Sequence, residues 1–255
     1  LYWDPNYYRA MDASGIPLPV EERHEYAFGG CTELMVHGRS NVGSLDDDIN
    51  VPGVLERSLH GRLPTAADFP EFREGFQKDL AATIASIVER VNLWQQQKAE
   101  WQPQPIRSLL IDDCVDRGIE YSAGGARYNW SVINVMGLAN AIDSLAALRT
   151  LVFEERRFTG REIVDVLARD FDGAEELRRE LENAPRYGNG DPEVDSLAHD
   201  LSQFIFTEFL KYRTWRRGAD GEGGPFVPSC LMFVTYVPFG RAVGATPDGR
   251  RAKEP

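Results

Sequence analysis

The sequence predicts a helix-rich α/β fold with few strands. Three long segments carry apolar residues at three- and four-residue spacing, the period of an amphipathic helix. These residues are Phe69, Phe72, Phe76, Leu80, Ile84, Val88 and Val91, then Leu138, Ala141, Ile142, Leu145, Leu148 and Val152, and finally Val194, Leu197, Leu201, Phe204, Ile205 and Phe209. The mainly apolar run from Cys230 to Val237 contains Val and aromatic residues, which predicts a buried strand. Long helical connections between few strands are typical of a sheet covered on both faces.

The N-terminal part begins irregularly and continues with the longest predicted helix. Residues 1–62 are rich in Gly, Pro and Asp, which predicts loops and short strands. A long helix is predicted over 65–97, where Asp68 precedes Glu71 by three residues and gives an N-terminal capping signal. A polar stretch with two prolines follows, and then a shorter helix is predicted near 106–116.

The middle of the chain contains two further predicted helices. The second apolar stripe predicts a helix over about 137–153. Thr159 and Glu162 have the spacing of a capping box, in which each side chain bonds the backbone of the other residue. That pair predicts the start of a helix over 160–169.

The C-terminal part alternates helices with turns. Asp172 with Glu175 predicts another helix start, for a helix near 173–183. A turn is predicted from Gly188 to Pro192, before the helix that carries the third stripe. The stretch from Gly218 to Gly224 is rich in small residues and predicts a flexible loop that leads to the strand at 230–237.

Composition excludes several classes of function. The 255 residues are 42% hydrophobic and 11% aromatic, as in ordinary globular proteins, and carry a net charge of −12. That acidity argues against nucleic acid and anionic membranes as partners, and no apolar run reaches the roughly 18 residues that span a bilayer. Three widely spaced cysteines indicate a reducing cytoplasm. The start at Leu1 and the end at Pro255 predict a piece of a longer protein.

The most informative motif is Gly29-Gly30-Cys31-Thr32-Glu33. Two glycines suit a tight loop tip, and in an extended segment residues i and i+2 point to the same side. Cys31 and Glu33 would then face one reacting molecule, with a sulfur beside a proton-transfer group. The competing interpretations are a small buried thiol and a solvated surface acid. No His lies beside Cys31 to favour a thiolate.

Four further segments stand in a recognisable order. They are Gly124-Gly125-Ala126-Arg127-Tyr128-Asn129, the helical run with Asn140 and Asp143, Tyr187-Gly188-Asn189, and Val237-Pro238-Phe239-Gly240 with Gly244-Ala245-Thr246-Pro247-Asp248-Gly249-Arg250. Together with Cys31-Thr32-Glu33, they resemble the glycyl radical enzymes, the superfamily of pyruvate formate-lyase and the radical diol dehydratases. The resemblance extends over nearly the whole chain.

The resemblance implies a ten-stranded α/β barrel made of two half-barrels, with a central finger loop at about 28–45. Residues 1–255 would form an incomplete part of this barrel domain, without the N-terminal part and the C-terminal glycyl radical domain. It also implies a radical installed by an activating enzyme that uses S-adenosylmethionine and an iron–sulfur cluster, with no cofactor bound to this chain. The expected partners are a small-molecule substrate, that activating enzyme and a second copy in a homodimer.

The resemblance gives Cys31 the role of thiyl radical carrier and Glu33 that of general base. The implied reaction is a radical elimination, first of all dehydration of a small hydroxylated substrate, with this chain inactive by itself. The sequence departs from the pattern at Leu34, where the eliminating members have Pro, and at Tyr236, where many relatives have His. A decarboxylase of arylacetate type and an inactive truncated relative therefore stay open as alternatives.

Metal sites are not predicted. Asp46-Asp47-Asp48 with Asn50 and Glu56 hints at a calcium loop, but the expected Gly and the final Glu are absent. A solvated acidic turn is the favoured interpretation, and one of these Asp residues lining a substrate pocket stays open. The four His residues lack zinc-ligand spacing. Cys114 and Cys230 are predicted to lie in the core.

Overall fold

A computed structural model describes residues 5–16, 18–29, 33–230 and 234–255. The chain divides into two units, each built from three stretches. Unit 1 comprises Leu1–Asp48, Ile84–Asn134 and Phe206–Ser229, and unit 2 comprises Ile49–Thr83, Val135–Ile205 and Cys230–Pro255.

Helices predominate in the described residues. They are α1 (Pro5–Ala13), α2 (Val51–Arg62), α3 (Phe69–Trp101), α4 (Pro105–Leu110), α5 (Cys114–Arg117), α6 (Leu138–Leu148), α7 (Gly160–Ala168), α8 (Glu175–Glu182), α9 (Pro192–Leu210) and α10 (Tyr236–Arg241). The strands are β1 (Tyr26–Gly29), β2 (Glu33–Val36), β3 (Ser40–Asn41), β4 (Asp47–Asn50), β5 (Tyr128–Asn129), β6 (Ser131–Met136), β7 (Arg213–Arg217) and β8 (Gly223–Ser229). A π-helical turn at Arg149–Glu154 extends α6.

The largest sheet has four strands in the order β4-β6-β8-β7. Its central pair, β6 and β8, is parallel, with Ser131 opposite Phe226 and Asn134 opposite Ser229. Four helices, α6 to α9, lie between these two strands in the sequence. Every residue of β6 is buried, as expected where helices cover a parallel sheet. The α/β class predicted from the sequence is therefore confirmed.

Unit 1 also contains two smaller strand pairs. β1 and β2 form an antiparallel hairpin in which Tyr26 lies opposite Val36 and Gly29 opposite Glu33. β3 pairs in parallel with β5. Tyr26, Leu34 and Met35 of the hairpin pack against a buried apolar cluster. Its members are Met11, Ile16, Leu18, Val36, Trp130, Val132 and Val227.

Unit 2 is built around the N-terminal half of α3 and around α6. Phe72 and Phe76 are fully buried, and the ring of Phe153 stacks on Phe72 with centroids 6.4 Å apart. α2 packs against α6. At their junction Gly137 has a φ of +69°, and a Cβ there would lie 2.5 Å from a carbon of the Pro52 ring. Only glycine allows both this backbone conformation and this approach.

Most predicted helices are confirmed, including their starts. Asp68 accepts a hydrogen bond from the Glu71 amide at 2.8 Å just before α3. Thr159 and Glu162 form the predicted capping box of α7. The apolar stripes of α3, α6 and α9 are buried almost throughout. The helix predicted near 106–116 is divided into α4 and α5, and the one predicted at 173–183 begins at Glu175.

The prediction of loops and strands alone over 1–62 was wrong at α1 and at α2. Asn50 caps α2 by accepting a hydrogen bond from the Gly53 amide at 3.2 Å, and a proline occupies the first turn of this helix. Both are ordinary helix-start signals. The glycines and the proline of the segment, taken as loop signals, concealed a helix that buries Val51, Val54, Leu55 and Leu59.

The predicted strand at 230–237 was also wrong. The strand is β8, which ends at Ser229, and α10 begins at Tyr236; residues 231–233 lie outside the described part of the chain. Cys230 is exposed and not in the core. The predicted loop at 218–224 is shorter, because Gly223 and Gly224 already belong to β8. A Cβ on Gly224 would lie 1.5 Å from the Asn129 carbonyl oxygen, so close backbone approach explains the glycine.

This contact predicts a large difference between two Gly→Ala variants. Gly224→Ala should lower the free energy of unfolding by about 1–3 kcal/mol or more, because the methyl group has no room. Gly61→Ala, in α2, meets nothing within 4 Å and should raise it by about 0.5–1 kcal/mol. Urea unfolding of the complete gene product measures both. Equal stability of the two variants would contradict the packing described for β8.

Candidate active site

Glu33 is the first residue of β2, directly opposite Gly29 in the hairpin. In the sequence, residues 30–32 stand between β1 and β2. Cys31, the predicted radical carrier, is one of these three residues, which lie outside the described part of the chain. Of the predicted catalytic pair, the structure therefore describes Glu33.

Glu33 is buried, with only 6% of its surface exposed. Ser44 Oγ donates a short hydrogen bond of 2.5 Å to Glu33 Oε1. A buried carboxylate needs such donors, because burial without partners is costly. The interpretation of Glu33 as a solvated surface acid is therefore excluded by its environment.

The loop that presents Ser44 connects β3 to β4. Its glycine, Gly43, has a φ of +54°, and a Cβ there would lie 2.3 Å from Arg216 Nη2 and 2.4 Å from Asp46 Oδ2. Only glycine fits this position, because the loop backbone runs directly over a buried ion pair. The path of this loop determines where the Ser44 hydroxyl lies.

That ion pair joins Asp46 to Arg216 in β7, with Arg216 Nη2 2.9 Å from Asp46 Oδ2. The two side chains are 5% and 6% exposed. Asp46 Oδ2 also accepts hydrogen bonds from Gln95 Nε2 at 3.0 Å and Ser131 Oγ at 2.7 Å. Arg216 Nη2 donates further to the Trp130 carbonyl oxygen at 2.8 Å. Asp46 is thus a buried anchor that connects the loop to α3, β6 and β7.

The other acidic residues of this turn are also engaged. Asp47 forms an ion pair with Arg90 at 2.6 Å. Burial raises the pKa of Asp48, while a hydrogen bond from Asn134 and the nearby Asp47 carboxylate act in opposite directions on it. The predicted solvated acidic turn was therefore wrong for Asp46. Within the ranges that the structure describes, no group of three His, Cys, Asp or Glu side chains could hold a metal ion.

A cavity of about 370 Å³ in unit 1 lies beside this loop. Its lining includes Gly29, Ser44, Asp46, Lys98, Arg107 and Arg216. It therefore reaches both the cross-strand partner of Glu33 and its hydrogen-bond donor. Sequence reasoning did not find Lys98, Arg107 and Arg216, because no motif marks them.

The Gly-Gly-Ala-Arg-Tyr-Asn segment forms a polar cluster. Arg127 donates to both oxygens of Asp113, at 2.9 and 2.7 Å, and to Glu22 Oε1 at 2.6 Å. The Tyr128 hydroxyl donates to Glu22 Oε2 at 2.8 Å. Burial and the Glu22 carboxylate raise the pKa of Tyr128, which keeps its hydroxyl protonated as a donor. This segment connects α5, β5 and the turn before β1.

Arg127 shifts both acids of this cluster in the same direction. Hydrogen bonding from Arg127 lowers the pKa of Asp113 despite partial burial. Burial by itself would raise the pKa of Glu22, but hydrogen bonds from Tyr128 and Arg127 lower it. Both carboxyl groups are therefore better bases in the unfolded chain than in the folded one.

The C-terminal Gly-Ala-Thr-Pro-Asp-Gly-Arg segment forms a tight turn in unit 2. Thr246 Oγ1 donates to Asp248 Oδ1 at 2.5 Å, and the Gly249 amide donates to the Thr246 carbonyl oxygen at 3.0 Å. Asn140 Nδ2, at the start of α6, donates to Asp248 Oδ2 at 3.0 Å. Arg250 bonds the Gly244 carbonyl oxygen at 2.8 Å. Two segments that are 108 residues apart in the sequence thus meet at Asp248.

The remaining cysteines have no part in the site. Cys114 is buried at the start of α5, as predicted, and burial raises the pKa of its thiol. Cys230 borders a second cavity of about 1,040 Å³ in unit 2, together with Tyr187, Asp195 and His199. No helix in the described ranges is long and apolar enough to cross a membrane.

Comparisons with known proteins give a consistent result. A family model described as pyruvate formate lyase-like matches residues 1–240. The probable dehydratase YbiW of Escherichia coli K12 is 40% identical over 151 residues, which are 58% of this chain and 19% of that protein. The glycerol-bound form of the B12-independent glycerol dehydratase from Clostridium butyricum superimposes with a TM-score of 0.89 at 29% identity. A glycyl radical enzyme from Archaeoglobus fulgidus superimposes with a TM-score of 0.84 at 27% identity.

Coverage in these comparisons is unequal. The two structures align with 98% and 97% of this chain, but in each case this chain covers only 32% of the longer protein. The chain therefore spans about a third of the length of these neighbours and a fifth of the Escherichia coli relative.

The polar cluster around Arg127 predicts a specific acid dependence of stability. The pKa values of Glu22 and Asp113 lie below their ordinary 4.5 and 3.8, so their contribution is complete above about pH 5 and is lost as the pH falls through the lower folded-state values. Arg127→Met should lower the free energy of unfolding by about 2–4 kcal/mol at pH 7, and this difference should shrink toward pH 3.

Urea unfolding of the complete gene product between pH 3 and pH 7 tests this dependence. Arg73→Met is the matched control, because its ion pair with Asp200 is more exposed, at 39% and 51% for the two side chains, and exposed pairs contribute little. A wild-type-to-Arg127→Met difference that is constant over the whole pH range would contradict the assignment.

Proposed function

The chain belongs to the pyruvate formate lyase-like family, and we propose that it supplies the reactive loop of a glycyl radical lyase. The reaction is the dehydration of a small hydroxylated substrate. Cys31 carries the thiyl radical, and Glu33 is the general base. In this proposal residues 28–45 form the finger loop, and residues 1–255 form part of one barrel domain.

The observation that carries this proposal is the environment of Glu33. Its carboxylate is buried and is oriented by Ser44, which lines a polar cavity. Glu33 also stands two residues after Cys31 in the sequence. A surface acid needs no such support, whereas a general base must be held within hydrogen-bond reach of the proton that it takes. The ion pair between Arg216 and Asp46 holds the loop that carries Ser44, and Ser44 in turn orients the Glu33 carboxylate.

The chemistry balances without an external oxidant or reductant. The Cys31 thiyl radical takes a hydrogen atom from a hydroxyl-bearing carbon, which forms the S–H bond and a carbon radical. Glu33 takes the hydroxyl proton, and the C–O bond at the adjacent carbon breaks. The departing hydroxide takes the proton from Glu33 and leaves as water. The resulting carbonyl-stabilised radical recovers a hydrogen atom from the Cys31 S–H group, which restores the thiyl radical.

A glycyl radical, held outside this chain, supplies the initial radical to Cys31. The proposal includes an activating enzyme with S-adenosylmethionine and an iron–sulfur cluster that generates this radical. It also includes a homodimer and a cytoplasmic location. Free thiols at Cys114 and Cys230 are compatible with a reducing compartment.

Cys31→Ser tests the radical carrier. In the complete gene product, we expect this variant to lose turnover while it retains the glycyl radical, because a serine O–H bond is too strong for reversible hydrogen-atom exchange. Electron paramagnetic resonance measures the radical, and product analysis under anaerobic conditions measures turnover. Product formation by Cys31→Ser with the radical signal present would remove Cys31 from the mechanism.

Glu33→Gln tests the base. The amide keeps the size of the side chain but accepts no proton, so kcat should fall by about 10²–10⁴-fold while substrate binding is retained. A near-normal rate would instead favour a mechanism without hydroxyl deprotonation, such as decarboxylation.

Ser44→Ala should lower kcat by about tenfold or more, because one charge-assisted hydrogen bond is lost. Ser44→Thr keeps the hydroxyl group and should restore most of the rate.

A further inference from the structure

The cavity beside Glu33 carries an excess of positive charge. Lys98, Arg107 and Arg216 line it, and Asp46 is the one acidic side chain among its described lining residues. These charges leave the lining with a net charge of +2. A small polar cavity with this excess attracts anions, because the field of the cations is focused between low-dielectric walls.

One carboxylate cannot balance three cations. Asp46 Oδ2 accepts hydrogen bonds from Arg216, Gln95 and Ser131. Asp46 Oδ1 forms a longer ion pair with Lys98 Nζ at 3.9 Å, beyond hydrogen-bond distance. Arg216 also keeps a buried Nε–H group with no acceptor in the described residues. Positive charge therefore remains uncompensated on this side of the cavity.

Lys98 and Arg107 approach the cavity from two different helices. Lys98 lies in the last turn of α3, and its ammonium group lies 5.4 Å from the centre of the Trp94 ring. Arg107 lies in α4, and its guanidinium group is 5.6 Å from the centre of the Tyr121 ring. These aromatic contacts orient both cations without neutralising them. No carboxylate is bonded to Arg107 among the described residues.

We propose that this cavity binds the anionic group of the substrate, a carboxylate or a sulfonate, through Lys98 and Arg107. This inference rests on the proposed function and narrows its substrate class from small hydroxylated molecules to small hydroxylated organic anions. The volume, about 370 Å³, lies at the small end of the usual range of about 300–1,000 Å³ for ligand sites. The lining includes Gly29, which lies opposite Glu33 in the hairpin, and Ser44, which donates to Glu33. In this proposal the hydroxyl-bearing end of the molecule lies on the Ser44 side of the cavity, toward Glu33.

A matched pair of ligands tests the charge requirement. Glycerate and glycerol differ only in a carboxylate in place of a hydroxymethyl group, and 2,3-dihydroxypropanesulfonate offers a sulfonate on the same carbon skeleton. Calorimetric titration uses the complete gene product with Cys31→Ser and without the radical, so that no turnover takes place. We expect at least one of the two anions to bind at least tenfold more tightly than glycerol, and its affinity to fall as the salt concentration rises.

Variants of the two cations locate the site. Lys98→Met and Arg107→Gln should each weaken binding of the anion by about tenfold or more, since a hydrogen bond to a charged group contributes about 1.5–3 kcal/mol. Lys78→Met and Arg161→Gln remove exposed cations outside the cavity and should leave the affinity unchanged. Failure of both anions to bind, equal affinity for glycerol, or unchanged affinity in the Lys98 and Arg107 variants would each overturn the proposal.

The binding result is independent of the radical mechanism. Tight anion binding that depends on Lys98 and Arg107, together with full turnover by Glu33→Gln, would preserve the anion site and refute the proposed role of Glu33. Loss of turnover in Cys31→Ser and Glu33→Gln without selective anion binding would preserve the lyase proposal and refute the substrate class.

Discussion

The buried ion pair between Asp46 and Arg216 is the constraint on which the geometry of the candidate site depends. Removing two charges from water is costly, and their mutual attraction compensates for this cost only when further hydrogen bonds satisfy the remaining donors and acceptors. Here Gln95, Ser131 and the Trp130 carbonyl oxygen provide those bonds. The pair therefore has few alternative arrangements, and it fixes one loop against a strand and a helix.

The ion pair fixes the position of Glu33 through only two residues, Gly43 and Ser44. Gly43 runs directly over the ion pair, and the next residue, Ser44, bonds Glu33. A carboxylate held in this way loses little conformational freedom when a substrate binds, which favours proton transfer in a defined geometry. The proposed base is thus positioned by Ser44 and by the ion pair beneath Gly43.

The sequence predicts the helices better than the strands for a physical reason. A long helix repeats its apolar face many times, so α3, α6 and α9 are recognisable even with imperfect caps. β8 begins with Gly223 and Gly224, which have poor strand propensity. They are needed because the Thr214 carbonyl oxygen lies close to Gly223 and the Asn129 carbonyl oxygen lies close to Gly224. Such a requirement comes from the tertiary structure, so no local pattern could have revealed it. In α2, Pro52 and Gly53 concealed a helix whose start signals were nevertheless present.

In the candidate site, too, local sequence patterns predict some residues, whereas only the folded chain reveals others. Cys31 and Glu33 are predicted by a local spacing, and burial now supports Glu33 as more than a surface acid. Arg216, by contrast, is 170 residues from Asp46 in the sequence, and only the folded chain brings the two together. The segments that most resemble the family, around Arg127 and Asp248, are engaged in turns and polar clusters within their own units. In the function proposed here, the family motifs therefore account for the scaffold and the reaction type, whereas discrimination between substrates depends on unmarked side chains such as Lys98 and Arg107. Two chains that share every motif would then differ in the charge of the molecule they accept, because that choice needs only a change in one or two cavity residues.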